Sequence, residues 1–87
     1  MYFVYFLRSL KNNKIYVGST GQLPETRLQQ HNVGSNKWTS ENGPFNLLYY
    51  ESYSCKTDVL NREQFYKTGF GKLIRNIIVD AVAQFQP

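Results

Sequence analysis

Five side chains of this 87-residue sequence are of types that do chemistry and stand where folding alone explains them poorly: Tyr5, Tyr16, Arg27, His31 and Glu63. Tyr16 precedes Gly18 in a run, Lys14 to Thr20, whose branched and aromatic residues suit a strand. A glycine inside a strand weakens it, and a common reason for keeping one is close approach of a ligand or another backbone. Arg27 and His31 are four apart, hence neighbours on one helix face. At about 100° per residue both fall between Leu23 and Leu28, on the side expected to face inward. A cation and an imidazole are costly there unless something anionic or hydrogen-bonding meets them. Glu63 follows Val59 by four and precedes Tyr66 by three, in the middle of an apolar stripe, so it needs a partner or a metal. A basic group holds phosphate, a carboxylate holds a divalent cation and a tyrosine relays a proton. Together they are a minimal set for breaking a phosphodiester.

These residues must be positioned by a small number of elements. Tyr2 to Arg8 reads as a first strand, joined to Lys14–Thr20 through the polar link Leu10-Lys11-Asn12-Asn13. A tight turn with Asn12-Asn13 at its centre places Tyr5 and Tyr16 on the same sheet face. A three-residue turn centred on Asn12 places them on opposite faces. Pro24 suits a first helical position, Glu25 complements the helix dipole, and Gly34 suits a left-handed cap, so a helix is predicted over 24–33. Residues 34–45 carry turn formers and little periodicity and read as a surface loop. In it, Lys37-Trp38 sets a charge beside a large ring that either touches nucleic acid or pins the loop to the core. Asn46 to Tyr53 is a third strand, expected to complete a sheet with the first strand central. Thr57 is the predicted N-cap of a helix over 57–67 with Val59, Leu60 and Tyr66 inward, stopped by Gly69. Leu73, Ile74, Ile77, Ile78, Ala81, Val82 and Phe85 recur at helical spacing over 71–85. The expected fold class is α/β (α+β), a three-stranded antiparallel sheet flanked by three helices in the order β-β-α-β-α-α, as a single domain over 1–87.

Composition limits the function. One cysteine, Cys55, allows neither an internal disulfide nor a thiolate zinc cluster, and reads as inert packing or an exposed thiol. No apolar run approaches membrane-spanning length and no signal-peptide layout is present, so a cytoplasmic protein, with nucleoid association open, is expected. A net charge of +4 favours a polyanionic partner. Aromatics interleaved with Lys and Arg suit bases and phosphates, and they also fill cores.

The order of motifs resembles a compact member of the GIY-YIG endonuclease family. The first motif stands as Phe3-Val4-Tyr5 and the second as Tyr16-Val17-Gly18. Arg27-Leu28-Gln29-Gln30-His31-Asn32 follows, then Asn61-Arg62-Glu63-Gln64 and Lys67-Thr68-Gly69. Phe3 replaces the glycine of the first motif, and Ser19 stands where some members carry a basic residue. The resemblance implies a metal-dependent DNA endonuclease, with DNA repair as a setting. It implies one Mg²⁺ or Mn²⁺ on Glu63, Tyr16 as general base with Tyr5 alongside, and Arg27 stabilising charge on phosphate. His31 is expected to bond a tyrosine hydroxyl or help relay the proton, and Lys67 to orient Glu63 or touch phosphate. Gly18, Ser19, Lys37, Trp38, Lys67, Lys72, Arg75 and Asn76 are the expected nucleic-acid contacts. The five reactive groups are expected to share one exposed pocket on DNA that is branched or nicked, with low sequence specificity.

Plainer readings stand beside these. The tyrosines can be core residues, Gly18 a bulge, Arg27 and Glu63 an interhelical ion pair, and His31 structural. Lys67, Lys72 and Arg75 can be a solvated basic face. Three classes follow: a metal-dependent nuclease, a nucleic-acid-binding module of the same fold without turnover, and a small interaction protein whose tyrosines mediate assembly.

Overall fold

Four consecutive residues, Val4, Tyr5, Phe6 and Leu7, are buried, which requires cover on both faces of their strand. The computed structural model, which describes residues 1–34 and 36–85, supplies it. Strand β1 (Tyr2–Ser9) is the centre of an antiparallel sheet of order β2-β1-β3, between β2 (Ile15–Thr20) and β3 (Phe45–Tyr53). Helices α1 (Pro24–Asn32), α3 (Lys56–Tyr66) and α4 (Gly69–Gln84) complete the expected framework.

The hairpin register pairs Tyr5 with Gly18 and Leu7 with Tyr16. The connection is a four-residue link, with Ser9 N–H donating to Lys14 O at 2.9 Å, rather than a two-residue turn on Asn12-Asn13. Of the two asparagines only Asn13 takes a positive φ, 62°. Lengthening the link by two residues preserves parity, so Tyr5 and Tyr16 do share a face and the opposite-face register is excluded. Gly34 takes φ 79°, and its N–H donates to His31 O as α1 ends.

The sheet separates two cores. On one face Val4, Phe6 and Val17 pack with Val59 and Tyr66 of α3 and Val79 of α4. On the other Tyr5, Leu7 and Phe45 pack with Tyr16, Leu28, Leu47 and Trp38. A register shift on β3 opposite Phe6/Leu7 lets Leu48 and Tyr49 serve the first core and Leu47 the second.

Several local expectations are corrected. Residues 34–45 are not all loop: α2 (Lys37–Asn42) is a short helix with a capping box in which Asn36 Oδ1 accepts from Thr39 N–H at 2.9 Å. Hydrogen bonds from Asn12 Nδ2 to Asn42 Oδ1 (2.7 Å) and from Lys11 Nζ to Glu41 O (3.1 Å) tie α2 to the hairpin link. Thr57 is not the cap of α3, which starts one residue earlier behind Cys55 without a side-chain cap bond. Gly69 is the first residue of α4, capped by Thr68, whose Oγ1 accepts from Gly71 N–H. Leu23, Leu60, Leu73, Ile77 and Phe85, expected inward, are exposed. On α4 the apolar residues spread around the helix, and the arc holding Ile74, Ile78 and Val79 is the one that docks. Among the described residues no helix is long and apolar enough to cross a membrane.

Candidate functional site

Gly18 explains how the site can form on an edge strand. A Cβ there would collide with the hydroxyl and Cζ of Tyr5 across the strand pair. The close approach expected at this glycine is therefore made by the Tyr5 ring, neither by a ligand nor by a bulge. The Tyr5 hydroxyl is hydrogen-bonded to Nε2 of His31 at 2.7 Å. Tyr16 lies against the same imidazole, with centroids 4.9 Å apart in a T-shaped arrangement.

Electrostatics distinguish the two rings. Burial raises the Tyr5 pKa, as does Tyr16, and Arg27 only partly offsets this, so the phenol keeps its proton through the physiological range. Burial, with the Arg27 charge, lowers His31 to about 4, so the ring is neutral at pH 7. His31 is fully buried, yet its Nδ1 has no hydrogen-bond partner among the described residues. A neutral imidazole has one N–H. With the proton on Nδ1, a buried donor is orphaned, which native structures rarely tolerate. With the proton on Nε2, the bond to Tyr5 is kept and Nδ1 is left as a buried acceptor without a partner among the described residues. Tyr16, only half-buried, is the ring open to solvent.

Glu63 reaches the site from the other side of the sheet. Its Oε1 accepts from the Ser19 hydroxyl and its Oε2 from Lys67 Nζ at 2.7 Å. Ser19 alternates with Gly18, so it faces α3 while Tyr5 and Tyr16 face α1. The expected single-faced pocket is therefore a straddle: rings and carboxylate flank the edge strand β2. The two sides share the strand itself: Ser19, bonded to Glu63, is the neighbour of Gly18, which packs on Tyr5. Glu63 does have protein partners, contrary to the reading of a carboxylate without any. The Arg27–Glu63 ion pair does not form: Arg27 Nη1 donates to Gln30 Oε1 at 2.7 Å, and the ion pair of Glu63 is with Lys67.

A cavity of about 270 Å³ opens around this edge, lined by Tyr16, Trp38, Lys67, Lys72 and Arg75 among others. Trp38 stacks on Phe45 at 5.7 Å and lies 5.2 Å from Tyr16, so it both anchors α2 and faces the cavity. Tyr5, Arg27, His31 and Glu63 do not line it. Lys37 is exposed, 4.0 Å from Glu41, and Asn76 is exposed and accepts from Arg75.

Glu63, with the Ser19 hydroxyl beside it, is the carboxylate a hard cation would use here. Its two oxygens are held by Ser19 and by Lys67, which such a cation would displace, and no group of three or more His, Cys, Asp or Glu is present among the described residues. Mg²⁺ commonly keeps several waters and few protein ligands.

A second polar cluster has no counterpart among the sequence expectations. Glu51 on β3 accepts from Tyr49 (2.7 Å), Tyr53 (2.6 Å), Tyr66 and Arg62 Nε (3.0 Å). Arg62 also stacks over the rings of Phe65 and Tyr66. Burial alone would raise the Glu51 pKa, but the bonds from Arg62 and the three tyrosines outweigh it and hold the carboxyl below its ordinary value. The alternation Tyr49-x-Glu51-x-Tyr53 is a visible signal of one shared strand face. Asn32 is likewise an unexpected link: its Oδ1 accepts from Phe45 N–H at 2.7 Å, joining α1 to β3.

The chain belongs to the GIY-YIG family, whose catalytic domain matches residues 1–76. That family places it among nuclease-type domains acting on nucleic acid, which typically use a divalent metal. It is similar to UPF0213 proteins, at 38% identity to one from Clostridium perfringens (87% of this chain, 76% of the relative). A relative from Staphylococcus haemolyticus is 35% identical (77% and 80%), and YazA of Bacillus subtilis is 33% identical (72% and 64%). No solved structure matches the chain.

Proposed function

We propose that this chain is a metal-dependent DNA endonuclease, acting as a single domain in the cytoplasm. The observation that carries the reading is the Tyr5–His31 pair beside Tyr16 at the β2 edge, with a buried Nδ1 without a partner among the described residues and Glu63 bonded to Ser19 of the same strand. A merely structural histidine is normally satisfied at both nitrogens.

Tyr16, open to the cavity, acts as the phenolate: its own proton passes to solvent first, and the phenolate then accepts the proton of the attacking water. Tyr5, buried and keeping its own proton, lies behind Tyr16 with ring centroids 6.3 Å apart. His31 keeps Tyr5 oriented through Nε2, and Arg27, beside the Tyr5 hydroxyl, meets the charge developing on phosphate. Glu63, with Ser19 alongside, would hold one Mg²⁺ or Mn²⁺, which supplies charge stabilisation to the leaving oxygen. Lys67, whose Nζ donates to Oε2, orients the Glu63 carboxylate.

The test is incubation of the purified protein with nicked, branched, single- and double-stranded DNA plus Mg²⁺ or Mn²⁺, beside Glu63→Gln. Divalent-dependent cleavage above the variant is expected. Binding without cleavage on every substrate would instead make the chain a nucleic-acid-binding module of the same fold.

A further inference from the structure

We propose that the cavity between β2 and the start of α4 receives one unpaired nucleotide of the substrate strand, so that the enzyme selects strands with an unpaired nucleotide next to the bond it cuts. The proposal rests on the nuclease reading and names its substrate class.

Size is the first argument. About 270 Å³ is of the order of one base with its sugar and well below a base pair with two backbones. Chemistry is the second. One side offers the rings of Tyr16 and Trp38, both only half-buried, as a stacking wall. The other offers Lys72 and Arg75, neither within 4.0 Å of a carboxylate among the described residues. Aromatic rings beside cations that no described carboxylate neutralises match the faces of a single nucleotide, a base and a phosphate, and stacking tolerates any base identity. Location is the third. Two lining residues belong to the proposed reaction centre, Tyr16 itself and Lys67, whose Nζ holds Glu63. A nucleotide seated here therefore delivers its flanking phosphate to the β2 edge. In a continuous duplex that base would first have to leave the stack, which costs a few kcal/mol and least at a bulge, flap or single strand.

The test is equilibrium binding in EDTA, where no cutting is possible. The probes are a labelled single strand, the matching blunt duplex, and the duplex with one bulged 2-aminopurine, each made in DNA and in RNA to distinguish the two polymers. The single strand and the bulge should bind at least about tenfold more tightly than the blunt duplex, with quenching of the 2-aminopurine on stacking. Trp38→Leu should lose that quenching and about tenfold in affinity for the unpaired probes. Because Trp38 also anchors α2, Lys72→Gln with Arg75→Gln is the second arm. It should reduce the salt slope of single-strand binding by roughly 0.7 for each phosphate that is no longer neutralised. Equal affinity for blunt duplex and unpaired probes, or an unchanged salt slope in the double variant, overturns the proposal. Selective, quenched binding without cleavage after Mg²⁺ is added supports the pocket and sinks the nuclease reading. Cleavage of blunt duplex and single strand at equal rates keeps the nuclease and overturns the pocket.

Discussion

Two clusters built from the same residue types behave differently. Around Glu51, three tyrosines and an arginine each direct a hydrogen bond to one carboxylate, which is largely buried and fully partnered. Around Gly18, two tyrosines, an arginine, a histidine and a carboxylate are spread over both faces of an edge strand, and one buried ring nitrogen has no partner among the described residues. Helix α3 joins them: Arg62 reaches β3 and Glu63, the next residue, reaches β2. Adjacent helical residues diverge by about 100°, so one turn grips both edges of the sheet while Val59 and Tyr66 bury between. A network with every lone pair used stabilises the fold. A set with unused capacity can act on a ligand.

That contrast is open to test. Glu63→Gln should lower cleavage by about a thousandfold, roughly 4 kcal/mol of transition-state stabilisation. Its thermal midpoint should move little, since the partnership with half-exposed Lys67 is a weak one. Comparable loss of stability in Glu63→Gln and Glu51→Ala would erase the distinction. Glu51→Ala should cost about 3 kcal/mol of unfolding free energy, read from urea titration, because it strands Arg62 and three hydroxyls. Tyr16→Phe should slow cleavage about a hundredfold, the lower end for losing a general base, with DNA affinity kept. Unchanged cleavage by this variant would remove Tyr16 from the role.

Acid separates the clusters by pH window. His31 falls from 6.5 to about 4 on folding, so the unfolded chain binds more protons between those values. Stability should therefore fall as pH drops through that window, by about 2 kcal/mol between pH 7 and 5. The Glu51 contribution has the depressed-carboxylate sign: it is present above pH 4.5 and lost as pH falls through the lower folded value. Replacing His31 by Gln should flatten the upper window and leave the lower one. A pH profile identical to the parent protein would show that the burial of His31 is not what titrates.

The strands, the helix behind Pro24, the cap at Gly34 and the central place of β1 are legible in the sequence, because each follows from local backbone chemistry or an alternation of period two. The link between β1 and β2 is two residues longer than the expected turn, without consequence, since parity alone decides which face Tyr16 takes. Helix α2 is not legible: its residues, Lys37-Trp38-Thr39-Ser40-Glu41-Asn42, carry no apolar period. What holds it is the capping box, the bonds of its end to Asn12 and Lys11 of a distant hairpin, and Trp38 packed on Phe45 and Tyr16. The stripe on α4 is legible as apolar but not as to which arc docks, because Leu73 and Ile77 are as apolar as Ile74 and Ile78.

The sequence by itself determined which groups are available, Tyr5, Tyr16, Arg27, His31 and Glu63, and that the two tyrosines share a face once the turn has even parity, because spacing and strand alternation are properties of the chain. Only the tertiary structure decided that Glu63 approaches around the edge of β2 rather than across a common floor, that Tyr5 rather than Tyr16 takes the buried bond to His31, and that Arg62 belongs to Glu51. Those outcomes depend on how helices dock against a sheet. Docking is set by shape and burial summed over residues far apart in the chain, and no local pattern records that sum.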